Sequence, residues 1–424
     1  MTFSFRRRAL PFSSSIFDQV VLSGTNFLVG FVLIRYTTDQ DYALYVLVQS
    51  TILLVASMHN SYLMGPLTIL TPRMAQEERW RTLGSVKGVQ RRLLSVAAVP
   101  LLLLTLSGYL FGFLSGPLAL VVTSAIFAIW TALRREYVRS VLLMYSRPHT
   151  LLAADAVYAI TLLAGVAIAI AINKAVVVGA ILALVIAAWC GAFAAHRSLS
   201  LDPGWQREGT ISVWPAVRNL GAWALLGSTI YWTLGQSYSY LLATRLGLSA
   251  VAAVNATRLL LMPASVLTIG IVSLLGPSAA TWYTEIGIHR VVHRLMMFLL
   301  AIGLLDLLYF VSIWFARNWI MVGVLHKHIA DLDLLLTLWA GVVIVALFRD
   351  VLQCALIAMG HYKSLAGQVG VSAAIAVVLM WYGIGWWGAP AVLIGQIVGE
   401  LINLAGIIVL LRRHMRLTAA PVLS

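Results

Sequence analysis

The chain has 424 residues, of which 61% are hydrophobic and 10% charged, with a formal net charge of +14 and a mean hydropathy of +0.92. Soluble domains are nearer one quarter charged, so the roughly three soluble domains that this length would suggest at ~150 residues each are excluded. Segments 42–72, 93–133, 219–244, 259–284 and 364–399 contain no Asp, Glu, Lys or Arg. A bilayer core of about 30 Å takes roughly 20 apolar residues per helix, so the longest of these hold two spans. The segments are apolar on every face instead of alternating, which excludes a transmembrane barrel.

In chain order, the N-terminal "RRR" followed by an apolar stretch looks like a signal peptide, but the stretch runs past Phe31 and carries Asp18, Gln19 and Asn26. Without a cleavage site it reads as an uncleaved first span. Charges and Gly/Pro turns then divide the chain into twelve spans, near 14–35, 42–66, 93–113, 117–139, 150–172, 175–195, 220–243, 248–276, 292–315, 334–358, 364–384 and 389–411. "SGYLFGFLSGP" and "GIGWWGAP" supply the turns that split the two longest apolar runs. Cys190 and Cys354 both fall inside spans and read as small hydrophobes, not as a disulfide or metal pair. No cofactor motif is present, and the connections are too short for a separate folded domain.

Lys and Arg set the orientation. Of 29 basic residues, 23 lie in loops on the side of the N-terminus, from Arg6, Arg7 and Arg8 to Arg412, Arg413 and Arg416. Five lie on the other side (Arg35, Lys174, Arg245, Arg317 and Lys327), and Arg258 falls within a span. Excess Lys/Arg marks the cytoplasmic face, which puts both termini there and explains the net charge without nucleic acid as a partner.

A weak internal repeat accompanies this topology. At an offset of 210, Asn26, Arg35 and Ala43 fall on Gln236, Arg245 and Ala253; at an offset of 214, Arg135-Glu136 falls on Arg349-Asp350. The chain is therefore expected to form an N-terminal six-helix half (1–199), a cytoplasmic linker (200–219) and a C-terminal six-helix half (220–424). With six spans each, the halves share an orientation, and a pseudo-two-fold axis runs along the membrane normal. Parallel repeats of this kind belong to transporters, with substrate held between them.

Polar groups at membrane depth are costly and are the candidates for function. In span 1, Gln19, Ser23, Asn26 and Gly30 share a face, with Asp18 nearby; in span 7, Ser228, Trp232, Gln236 and Ser239 do so. Tyr42, Tyr45 and Gln49 share a face of span 2, and Asn255 and Arg258 lie in span 8. Interhelical hydrogen bonding could account for Asn26 or Gln236 equally well, whereas an unmatched Arg258 inside a span points to function. Gln396, Glu400 and Asn403 form a stripe in span 12. Glu400 and Asp18 are the expected ion-coupling carboxylates, Glu400 being also a conceivable partner for Arg258. Asp155 and Asp306, nearer helix ends, are expected to be hydrated.

At the cytoplasmic boundary, Arg134, Arg135 and Arg139 in the first half and Arg349 in the second are candidates for a basic vestibule. Guanidinium groups engage phosphate bidentately, although positive-inside bias alone would also place arginine there. "HRVVH" (His289, His293) lacks the glutamate of a metalloprotease helix, and Asp331 and Asp333 read as a helix boundary. No phosphate-binding loop, nucleophile elbow or dinucleotide fingerprint occurs, so no enzyme activity is expected.

"DQVVLSGTNFLVGFVLIRY" with "DYALYVLVQS", and "LRREYVRSVLLMYSRPHTLLAADAVY" across spans 4 and 5, resemble the Wzx-type polysaccharide flippases of the multidrug/oligosaccharidyl-lipid/polysaccharide exporter superfamily. The resemblance implies a MATE-like all-α fold with about 12 transmembrane helices, placed in a bacterial inner membrane. It implies transport of a polyprenyl-diphosphate-linked oligosaccharide to the periplasmic leaflet, for cell-surface or exopolysaccharide biosynthesis. The mechanism would be alternating access driven by protons or sodium ions, and polysaccharide polymerase machinery is admitted as a partner. Carried onto this chain, Arg258 and the cytoplasmic arginines would hold the diphosphate. Asn26, Tyr45, Gln49, Trp232, Gln236 and Asn255 would line the substrate path, with the lipid tail left in the bilayer. Two other readings stay open: a cation-coupled multidrug or metabolite exporter of the same superfamily, and a membrane-embedded glycan polymerase or glycosyltransferase.

Overall fold

A computed structural model describes the backbone of residues 3–145, 147–200, 205 and 214–419, and their side chains apart from 3–19, Arg73, Tyr362, Lys363 and 417–419. All regular structure among these residues is helical, as lipid requires of an open chain whose backbone must satisfy its own hydrogen bonds. The chain divides into two compact units, Met1–Thr229 and Ile230–Ser424.

The first unit holds α1 (Phe3–Tyr36), α2 (Asp39–His59), α4 (Gln76–Leu110), α5 (Gly116–Met144), α6 (Pro148–Ile172), α7 (Val176–Leu199) and the start of α8 (Trp214–Arg245). Helix α2 passes through a π-helical turn, Asn60–Met64, into the short α3 (Gly65–Leu70). Helix α7 packs against α5 and α6, α1 against α6, and α4 against α5. The second unit holds the rest of α8, then α9 (Leu248–Asn318), α10 (Leu332–Ala358), α11 (Tyr362–Trp387) and α12 (Pro390–Ala419). There α10 packs on α9 and α12, and α11 on α12.

Nine helices among the described residues are long and apolar enough to cross a membrane, with α2–α3 and α9 each taken as one helix. Helix α9 is two spans: Gly287, at φ 74° and ψ 167°, interrupts its helical backbone in a region open essentially to glycine alone. The described apolar part of α1 is Val20–Tyr36, and α8, although 32 residues long, is too polar to be counted. Each of the twelve expected spans overlaps one of these helical segments.

The boundaries follow local chemistry. Thr38 caps α2, its hydroxyl accepting from the Asp41 N–H at 3.2 Å. Asn173, in the left-handed region, ends α6. Span 3 departs most from expectation, since α4 begins at Gln76 and not near 93. Glu77 and Glu78 favour the helix N-terminus, Glu77 pairs with Arg81 at 2.7 Å, and Trp80, Leu83 and Val86 bury one face. That face joins a core with Leu67, Tyr137, Val141, Leu199 and Trp205.

The pairing of α11 with α12 rests on missing side chains. A Cβ on Gly395 would meet Met380 Cγ at 2.7 Å and the Ala376 carbonyl oxygen at 3.1 Å; one on Gly399 would meet Ala376 Cβ at 2.7 Å. With no hydrophobic drive between helices in lipid, such close backbone approach is what holds them. Gly399→Leu should therefore cost about 1–3 kcal/mol or more through overpacking, read as a lower melting temperature and a loss of monodisperse protein in detergent. Gly367→Ala, on α11 with open space around it, should leave both unchanged or slightly improved.

Candidate functional site

In the second unit, Arg258 is the centre of a polar network between α8 and α9. Its Nη1 donates to Gln236 Oε1 at 3.1 Å and to the Tyr238 hydroxyl at 2.9 Å. The Tyr238 hydroxyl in turn donates to Asn255 Oδ1 at 2.8 Å, and Asn255 Nδ2 donates to Ser239 Oγ at 3.3 Å. The guanidinium also lies 5.4 Å from the Trp339 ring of α10, whose indole N–H donates to the Val254 carbonyl at 3.0 Å. Asn255 and Arg258, three residues apart, thus meet a matching face of α8. All of these partners are neutral, and among the described residues no carboxylate pairs with Arg258. Its charge is oriented but not cancelled.

The structure brings Gln236, Asn255 and Arg258 together and adds Tyr238 and Trp339, which the sequence reading did not single out. The only available signal for Tyr238 was its place beside Ser239 on a polar helix. Trp232 lies elsewhere on α8, its ring 5.7 Å from that of Tyr240 and its buried indole N–H without a partner.

Arg349 and Glu400 do not take separate roles. Arg349, 4% exposed on α10, is ion-paired with Glu400, 3% exposed on α12. Arg349 also donates to Asp350 at 3.0 Å and to the Tyr231 hydroxyl at 3.3 Å. A buried guanidinium persists only when paired, so Arg349 is a packed interhelical group instead of an open vestibule cation, and the partner of Glu400 is not Arg258.

The first unit repeats this arrangement. Arg135 and Arg139 of α5 both pair with Asp155 of α6, Arg139 Nε at 2.9 Å. Glu136 accepts from Asn60 at 3.3 Å, and the Arg135 guanidinium stacks 3.7 Å from the Tyr158 ring centre. Arg135 and Arg349, equivalent in the internal repeat, are thus each neutralised by a carboxylate from another helix. Arg134 parts from its neighbours: it lies 4.6 Å from the Trp130 ring and lines a cavity of about 340 Å³.

Two carboxylates expected to be hydrated are buried. Asp155 is held by its two arginines. Asp306, 5% exposed on the second half of α9, accepts from Thr268 at 3.2 Å, and its other oxygen is buried with no partner. It sits on the inward stripe of Leu295, Leu299 and Ile302, so helical spacing and not distance from the helix end sets its burial. Tyr45 is buried, and Asn26 Oδ1 and Gln49 Oε1 are buried acceptors with no partner. The side chain of Asp18 lies outside the described residues. Asp333 is held by Arg317, with Nη2 to Oδ2 at 2.9 Å. Among the described residues, no three metal-ligating side chains gather.

No protein-family model and no curated protein matches this chain. Solved structures do. An inward-facing multidrug resistance MATE family transporter of the MOP superfamily is similar at TM-score 0.77 and 12% identity, over 95% of this chain and 96% of that one. The lipid II flippase MurJ in an inward closed conformation is similar at TM-score 0.68 and 11% identity, over 95% and 87%. A mutant of the Vibrio cholerae MATE transporter VcmN is similar at TM-score 0.67 and 17% identity, over 96% and 97%. At these identities the likeness is one of fold, and the fold of this chain is that of the MATE transporters.

Proposed function

We propose that the chain is an inner-membrane flippase that moves a polyprenyl-diphosphate-linked oligosaccharide from the cytoplasmic to the periplasmic leaflet by ion-coupled alternating access. The observation that carries this reading is Arg258, a guanidinium held by Gln236 and Tyr238 and left without a carboxylate. An arginine at membrane depth costs about 2.5–3.5 kcal/mol or more, and an anionic ligand offsets that cost on binding. A diphosphate offers oxygens on adjacent phosphates, which suit the guanidinium fork better than they suit an ammonium. The fold shared with a lipid II flippase supports the choice of a lipid-linked cargo.

In this reading the unpartnered acceptors Asn26 Oδ1 and Gln49 Oε1 receive sugar hydroxyls, with Tyr45 and Trp232 beside the glycan. Both termini are cytoplasmic, and the halves 1–199 and 220–424, joined by the linker 200–219, exchange access between them. Asp18 stays assigned to ion coupling and Asp306 joins it, whereas Glu400, held by Arg349, is assigned to helix packing. Asp306 is the described intramembrane carboxylate without a cationic partner, and an ionisable group at membrane depth is a candidate for function. The same residue favours a second reading, a cation-coupled multidrug exporter, because a lone buried acid also suits a cationic substrate.

Mass spectrometry of polyprenyl-linked glycans separates the two. Depletion of the protein should make one diphosphate-linked oligosaccharide accumulate; an unchanged lipid pool with altered drug sensitivity favours the exporter. Arg258→Ala should reduce cargo affinity about tenfold to a hundredfold, the worth of a charge-assisted hydrogen bond, at unchanged expression, while Arg258→Lys recovers only part. Wild-type transport by Arg258→Ala excludes the assignment. The carboxylates should divide in behaviour. Asp306→Asn should retain folding and cargo binding while transport stops responding to a proton gradient. Glu400→Leu should lower the melting temperature, since breaking a buried pair costs about 3–5 kcal/mol, with Asp350, which also pairs with Arg349, offsetting part of the loss.

A further inference from the structure

Three helices of the first unit change from apolar to basic at matching points. Helix α4 carries Lys87, Arg91 and Arg92 and is free of charge from Leu93 to its end; α5 carries Trp130 and then Arg134; α7 carries Trp189 and Phe193 and then His196 and Arg197. Between them lies the cavity of about 340 Å³, lined by Lys87, Arg91, Arg92, Arg134 and His196 together with Trp205, and by no carboxylate among the described residues.

The basic groups are close enough to repel. Arg134 lies in the field of Arg91, and His196 in the fields of Lys87 and Arg134. The Lys87 ammonium sits 4.4 Å from the Trp205 ring centre. The Trp205 indole N–H donates to His196 Nδ1 at 3.0 Å, which leaves Nε2 of that imidazole as the donor. One residue further along α5, Arg135 has been given Asp155 as a partner. Arginine that serves packing is thus neutralised, whereas Arg91, Arg92 and Arg134 have no carboxylate partner among the described residues. Repulsion within a partly enclosed space is relieved by an anion.

The walls indicate which anion. Trp189 and Phe193 line the cavity, stack in parallel 6.4 Å apart, and are 55% and 57% exposed. Leu93 and Val96 of α4, just beyond the basic residues, are also exposed. A free phosphate makes no use of such a surface, whereas acyl chains lie along it. Basic pockets between membrane helices at the cytoplasmic boundary suit phospholipid head groups. We propose that this cavity binds the phosphate head group of an anionic phospholipid of the surrounding membrane, with its chains against Trp189 and Phe193. The inference stands apart from the cargo reading, because it concerns a site within one unit and a resident lipid.

Native mass spectrometry of the delipidated full chain, titrated separately with phosphatidylglycerol, cardiolipin and phosphatidylcholine, tests it. At least tenfold preference for an anionic lipid is expected, falling to the phosphatidylcholine level in an Arg91→Ala, Arg134→Ala double variant. Arg197→Ala, an exposed arginine outside the cavity, should keep the preference. If the double variant does not fold, Arg91→Gln serves in its place, with a loss of about threefold expected. Equal retention of phosphatidylcholine, or full preference in the cavity variants, overturns the proposal. Inorganic diphosphate that binds as tightly as the anionic lipids and displaces them also overturns it, in favour of a soluble phosphate site.

Discussion

Charge neutralisation inside a low-dielectric slab is the constraint on which the rest of this structure depends. A helix bundle in lipid satisfies its backbone internally, but it gains nothing from burying one more apolar side chain that lipid would solvate equally well. What distinguishes one helix pairing from another is therefore where charges find partners and where backbones can touch. Both units use the first device at an equivalent arginine, with carboxylates from different helices: Arg135 and Arg139 with Asp155 of α6 in one, Arg349 with Glu400 of α12 in the other. The second unit adds the close contact at Gly395 and Gly399.

Against that background the exceptions carry meaning. Arg258 is fixed by neutral groups, the Arg91–Arg134 cluster is left positive, and Asp306 is left with one oxygen unpartnered. Among the described residues, counter-charges supplied elsewhere are missing at three separate positions, two positive and one acidic. Ligands of opposite charge, or a proton, are the chemical means of completing such sites.

Much of this was legible in the sequence because helical spacing is a local property. The twelve spans, the turns at Gly112 and Gly388, and the separate polar faces carrying Gln236 and Arg258 follow from periodicity and from glycine positions. Pairings between distant helices were not legible. Nothing at Arg349 points to Glu400, 51 residues later. Arg134 and Arg135, adjacent in sequence, face different surroundings because consecutive helical residues are turned by about 100°. The basic run before span 3 reads as a loop by composition, yet it is helical because Trp80, Leu83 and Val86 have a core to join.

The π-helical turn at Asn60–Met64 has a further effect on span 2. A π turn accommodates one residue more than the α-helix around it, so every side chain after it is rotated relative to those before. Tyr42, Tyr45 and Gln49 therefore occupy one azimuth, while Leu63, Met64 and Leu67 reach the core near Trp80 from another. Removing a single residue here would restore an ordinary helix and swing the two faces out of phase. A one-codon deletion would thus detach the polar face from its anchoring core while leaving the composition of the span almost untouched.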